Sequence, residues 1–341
     1  MAAAPVTPPY VDPINRAADE KHRRPPKVEL GWVGDMAFGR HYGLPPGGAR
    51  RVLSGVAGWL KAPDIMAANL EGTLGSGGSS KCGGGGGGNC FAFQAPASYA
   101  REFRGSGIDV VNIANNHTND FGDYGMGQTL SALEHAHLPR AGRPDGIAVL
   151  HAKGVRVAFV GFAPYRWSAS LLDIDGARRL VEKADRRADL VVVMMHAGAE
   201  GAGATHTPHG REYAFGEYRG ETRRFAHNVV AAGADLVIGS GPHVLRGIEC
   251  YRKRVVAYSL GNFAGYRTLQ AGGVLSLSGL LRVKLESTGR LVGGRLLPVS
   301  FDYPGTPHRG SASISQVRRL SRDDFGDRAC HISKHGLIRM P

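Results

Sequence analysis

Seven residues able to ligate a metal or move a proton stand where apolar runs stop: Asp35, Glu71, Asn116, His117, His196, His243 and Asn262. The densest such place is 108–122, Ile-Asp-Val-Val-Asn-Ile-Ala-Asn-Asn-His-Thr-Asn-Asp-Phe-Gly, where the run ends in six polar residues, 115–120. An apolar run bounded by turn formers reads as a strand buried on both faces. In open α/β sheets, ligands bind just beyond the carboxyl ends of such strands. An Asn-rich turn would look the same, because Asn tolerates the left-handed conformation. What favours a site is recurrence. Asp35 follows 28–34 between glycines, Glu71 follows 64–70, and His196 follows 190–195 and precedes Gly198 and Glu200. His243 stands in a Gly-Pro turn after 235–238, and Asn262 follows 254–259. Taken singly, Asp35 could cap a helix and a strand-end His could be structural.

Carboxylate, amide oxygen and imidazole together suit Zn²⁺, Mn²⁺ or Fe²⁺, whereas Mg²⁺ and Ca²⁺ usually take oxygen alone. Asp35, Glu71, Asn116, His196 and His243 are therefore the expected ligands of one or two ions. Such ions polarise an ester oxygen and generate hydroxide near neutral pH. His117 is placed to protonate the leaving group and Glu200 to act as a nearby acid or base. Asn69, Asn115, Arg40 and Asn262 complete the rim as candidate substrate-binding groups. The chemistry this set describes is metal-dependent hydrolysis of a phosphoester.

Strands are expected at 28–34, 64–70, 108–113, 138–141, 147–150, 156–162, 190–195, 235–238, 254–259, 273–285 and 291–298. Helices are expected at 48–60, 97–106, 124–137, 175–187 and 219–232. This alternation defines an α/β protein. The core domain should cover 27–303, with an Ala-, Pro- and Arg-rich leader at 1–26 and a loosely held basic tail at 304–341. The leader has no apolar segment of the signal-peptide kind, and no run reaches the ~20 residues of a membrane helix. Six glycines at 83–88 lack the flanking strand, helix and Lys-Ser/Thr pair of a phosphate loop, and read as a flexible loop.

Lys and Arg total 42 against 29 acidic residues, a formal charge of +13, which attracts polyanions. There is no dense basic arm and no aromatic-studded basic strand, so nucleic acid is not the expected partner. Cys82 and Cys90 bracket the glycine loop, and Cys250 and Cys330 remain. Neither pair has zinc spacing, so disulfides and an oxidising compartment are expected.

Gly34-Asp35, Asn69-Leu70-Glu71, Ala114-Asn115-Asn116-His117-Thr118, His196-x-Gly198-x-Glu200, Gly241-Pro242-His243-Val244 and Ser259-Leu260-Gly261-Asn262-Phe263 resemble the CapA-type poly-γ-glutamate capsule biosynthesis family. That family is similar to the calcineurin-like metallophosphoesterases. The resemblance implies a two-sheet α/β/β/α sandwich, an extracytoplasmic location, an anionic polymer such as poly-γ-glutamate as partner, and contact with other capsule-synthesis proteins. Three departures from the phosphoesterase pattern stand out. Ala37 replaces the His two residues after the first Asp, Glu71 replaces the usual Asp, and the last motif carries His243 alone. One ion, or a weakly held second, is expected. A non-catalytic, polymer-handling protein on the same fold is the alternative.

Overall fold

The computed structural model describes residues 25–83 and 90–341. The leader expected at 1–26, apart from its last two residues, and the glycine loop beyond Gly83 lie outside the described residues.

Two sheets form the centre. In the first, the strands Lys27–Ala37, Ile65–Leu70, Val110–Asn112 and Arg140–Ala141 run parallel, and Leu277–Glu286 and Leu291–Asp302 continue it antiparallel. In the second, Val155–Ala163, Leu190–His196, Leu236–Ser240 and Arg254–Ala257 are parallel. Antiparallel strands Ile147–Ala152 and Ile248–Tyr251 flank them. Period-two alternation explains the layering. Val192 and Met194 face a core shared with Trp32, Ala67 and Val110 of the other sheet. Val191, Val193 and Met195 face the helices Ile174–Asp185 and Thr222–Ala231. The helices Gly48–Leu53, Tyr99–Ser106 and Gly122–His135 cover the first sheet's outer face. The result is the expected α/β/β/α sandwich. Trp32 fastens the two sheets near the site, donating from Nε1 to the Gly239 carbonyl at 3.2 Å.

Two expectations fail. The segment 304–341 is not a loose tail. Strand Thr306–Arg309 and the pair His331–Ile332 and Leu337–Arg339 extend the first sheet. Helix Ser313–Phe325 buries Val317, Leu320 and Phe325 while Arg319 and Arg322 stay exposed. An apolar stripe at helical spacing was hidden by the basic residues of the opposite face. Cys330 is bonded to Cys250 on the second sheet's edge strand, so the C-terminus ties the sheets together. The helix expected from 219 begins at Thr222, because Arg219 belongs to a hairpin of Glu212–Ala214 and Glu217–Gly220.

Candidate metal centre at the strand ends

The parallel strands of both sheets end on one rim, and the chemistry-bearing residues gather there. Asp35 sits inside the first strand between Asn69 and Asn262 of its two parallel neighbours. Gly34 permits this, since a Cβ there would lie 1.9 Å from the Gly261 carbonyl oxygen, and that oxygen accepts the Asp35 N–H at 3.1 Å. Glu71 follows its strand directly, His196 ends its own, and His243 lies three residues beyond Ser240. His243 has φ 59°, a left-handed backbone that costs a non-glycine residue about 1–2 kcal/mol. Such strain persists where the surroundings over-determine it. Here Nδ1 lies 2.9 Å from Asn262 Oδ1 and 3.2 Å from Asp35 Oδ2.

Glu71 is the centre of the group. Its Oε1 faces Nε2 of His243 at 3.5 Å, of His196 at 3.8 Å and of His117 at 3.9 Å. Asp35, Glu71 and His243 each offer a ligand atom within 4.8 Å of the others. Burial drives the Glu71 carboxyl well above the usual range, and the charges of Asp35, Glu200 and Asp120 add to this against the pull of His243. Burial opposes the charge of His243 too, but Glu71 and Asp35 prevail and its pKa lies well above the usual imidazole value. Burial would also raise Asp35, yet the hydrogen bond and charge of His243 leave it lowered. Burial lowers His196 to about 3 despite Asp35. His117 is likewise lowered, burial outweighing Asp120.

Both oxygens of Glu71, His196 Nε2 and Asn116 Oδ1 are buried without a hydrogen-bond partner among the described residues. Buried polar atoms are almost always partnered, and orphans clustered at one spot are a mark of a missing ion or water. Their chemistry, carboxylate, imidazole and amide oxygen, fits a divalent transition ion.

The other rim residues have different work. Asn69 is fully buried, its Nδ2 lying 2.8 Å from Asp35 Oδ1 and 3.2 Å from His196 Nδ1. Asn115, also fully buried, donates to the Leu70 carbonyl and accepts the His117 N–H. Both orient the site, and neither lines the cavity over it. Arg40 does not line the site cavity. It lies in a short helical turn beside a cleft with Ser98, Arg101 and His135, apart from the site cavity. A residue three places past the end of the strand has already left the rim. Asn262 lines the cavity, but its Oδ1 meets His243 and its Nδ2 meets the Gln270 carbonyl.

The cavity over the cluster holds about 720 Å³ and is lined by Asn116, His117, Glu200, His243 and Asn262 with aromatic walls. Tyr165 and Trp167 stack there at 5.1 Å. Three contributors had not been singled out. Asp120 Oδ2 lies 2.8 Å from His117 Nδ1; an Asp three residues after a His was the available signal. Lys81 pairs with Asp120 at 2.7 Å. Buried Arg219 meets Glu200 Oε1 at 2.6 Å and Glu217 at 3.1 Å, leaving Glu200 Oε2 at 4.0 Å from His243 Nε2.

The fold is a metallophosphoesterase-like sandwich. A crystal structure of a phosphatase from Mycoplasma pneumoniae superposes with a TM-score of 0.51 at 12% identity, over 81% of this chain and 95% of that one. More particularly, residues 29–266 match the family described as bacterial capsule synthesis protein PGA_cap, and the chain belongs to that family. It is 29% identical over 276 residues to the capsule biosynthesis protein CapA of Bacillus anthracis and 27% over 255 residues to the PGA biosynthesis protein CapA of Bacillus subtilis. These alignments cover 74% and 69% of this chain, and 64% and 63% of the relatives' own length.

Proposed function

We propose that this capsule-family protein is a metal-dependent hydrolase acting on a phosphoester or a glutamyl polymer, with poly-γ-glutamate as its anionic partner. The observation that carries the reading is the set of orphaned, buried ligand atoms of Glu71, His196 and Asn116 beside Asp35 and His243. Asp35, Glu71, Asn116, His196 and His243 would hold Mn²⁺, Zn²⁺ or Fe²⁺, one ion or two, which supplies polarisation of an ester oxygen and a water acidified towards neutrality. Asp120 accepts a hydrogen bond from the Nδ1–H of His117, so Nε2 faces the cluster; there it takes up a proton and, as imidazolium supported by Asp120, passes it to a leaving oxygen. Glu200, held by Arg219, keeps Oε2 towards His243. The Tyr165–Trp167 ledge and Phe93 narrow access of bulk water to these groups.

The two disulfides support an extracytoplasmic site of action, where capsule-synthesis proteins would be its partners. Among the described residues no helix is long and apolar enough to cross a membrane. A polymer-handling role without catalysis is favoured by one feature. Ala37, at the position where phosphoesterases place a histidine, is fully buried and registered against Gly265, so no ligand comes from there.

Elemental analysis of protein prepared without chelator tests the reading. About one equivalent of transition metal, lost in His196→Ala and retained in His117→Ala, is expected. His117→Ala should lower a phosphoesterase rate by about 10²–10⁴-fold. Full metal content in His196→Ala, or none in the parent after reconstitution with Mn²⁺ or Zn²⁺, would leave the polymer-handling role. That role would show polyanion binding that weakens steeply with salt.

A further inference from the structure

The turn that carries His117 is gripped from outside by two chain legs joined to each other by a disulfide. Asp120 is fully buried. Its Oδ2 accepts the Phe93 N–H at 2.6 Å and lies 2.8 Å from His117 Nδ1. Its Oδ1 has Lys81 Nζ at 2.7 Å as ion-pair partner. Lys81 also donates its backbone N–H to the Asp120 carbonyl at 2.8 Å and its Nζ to the Asn116 carbonyl at 3.3 Å. It thereby clamps both ends of the turn. On the other leg, the Phe93 ring lies over the His117 imidazole with centroids 4.3 Å apart. Lys81 immediately precedes Cys82, Phe93 lies three residues after Cys90, and Cys82 and Cys90 are bonded to each other.

We propose that Lys81, fastened by the Cys82–Cys90 disulfide, is a positioning residue that holds Asp120 and through it fixes the ring of His117. The proposal rests on the hydrolase reading for its consequence, but not for its geometry. Each oxygen of a buried carboxylate that finds a partner adds to the hold on its orientation, and one left alone costs its desolvation. Phe93 and His117 use one oxygen, and Lys81 serves the other. Without Lys81 only the Phe93 and His117 contacts to one oxygen hold the carboxylate, and its grip on the His117 ring that points Nε2 at Glu71 slackens. The disulfide holds the Lys81 leg and the Phe93 leg at a fixed separation, so that both contacts with the turn form together. None of Lys81, Cys82 and Cys90 belongs to the hydrophobic core clusters.

The test uses ¹⁵N-histidine-labelled protein, in which the hydrogen-bonded Nδ1 proton of His117 is identified by its loss in His117→Gln. In Lys81→Met and in the double variant Cys82→Ser/Cys90→Ser, solvent exchange of that proton should quicken at least about tenfold, and Lys81→Arg should restore it. With a phosphoester substrate, kcat should fall by about tenfold to a hundredfold in the same variants, within the range that acid–base catalysis supplies. KM and metal content should stay constant. A protected proton with parental exchange in both variants would overturn the proposal, as would Lys81→Arg behaving like Lys81→Met. Were the parent to hydrolyse nothing, the hydrolase reading would fail while the exchange measurement still decided the positioning role.

Discussion

Replacing Glu71 by Gln should change stability in opposite directions with and without metal. Glu71 is fully buried, both its oxygens are unpartnered, and burial pushes its carboxyl well above the usual range. A group whose pKa rises on folding weakens the fold as pH climbs above its unfolded value. At neutral pH the metal-free parent therefore carries a penalty that Gln removes. Avoiding the burial or protonation of that carboxyl at neutral pH is worth about 1–3 kcal/mol, so metal-free Glu71→Gln should be the more stable protein at pH 7. The advantage should vanish below about pH 4.5, where the unfolded carboxyl is also protonated. Metal reverses the order. An ion at 100 times its Kd adds about 2.7 kcal/mol to a protein that binds it only when folded. For a chain of this length that is about 4 °C in Tm, and the variant, short of its central ligand, should gain none of it. Calorimetric scans with chelator and with Mn²⁺ or Zn²⁺ measure both differences. A metal-free variant less stable than the parent, together with an undiminished metal-induced rise, would refute the assignment of Glu71 as an unpaired ligand.

Two further outcomes follow from other parts of the molecule. The Cys250–Cys330 bond closes a separation of 80 residues, so Cys250→Ser/Cys330→Ser should lose about 4–5 kcal/mol on the chain-entropy scale; an unchanged denaturation midpoint would mean the C-terminal elements dock without it. Asp235 accepts the Val191 N–H and meets Arg254 at 3.1 Å, yet burial raises it to about 6. Its contribution is fully present below the unfolded value near 3.8 and declines as pH rises through 6, a change of about 3 kcal/mol. In Asp235→Asn the stability curve should be flatter across that interval, and an identical curve would show the carboxyl titrates normally.

The residue pattern alone determined the α/β class and the rim, and the family resemblance supplied the two-sheet sandwich. A strand is written locally, as an apolar run closed by turn formers, and the parallel strands of such a fold bring their carboxyl ends to one edge. That pattern places Asp35, Glu71, Asn116, His117, His196 and His243 on one rim. The family resemblance was carried by those same motifs. Tertiary structure decided which polar residues face the cavity and which stand behind it. Asn69 and Asn115 have the same residue type and rim position as Asn116, but only packing reveals that their amides are spent on Asp35, the Leu70 carbonyl and the His117 N–H. Arg40 lay near Asp35 in sequence, and the turn after the strand carries it to another cleft. The grip of Lys81 on Asp120 spans 39 residues and depends on a disulfide and a folded turn. The C-terminal helix was masked because Arg318, Arg319, Arg322 and two Asp residues stand between the members of its apolar stripe. Local pattern sets where strands end, whereas the partner of each polar atom depends on neighbours that only the folded chain brings within hydrogen-bond reach.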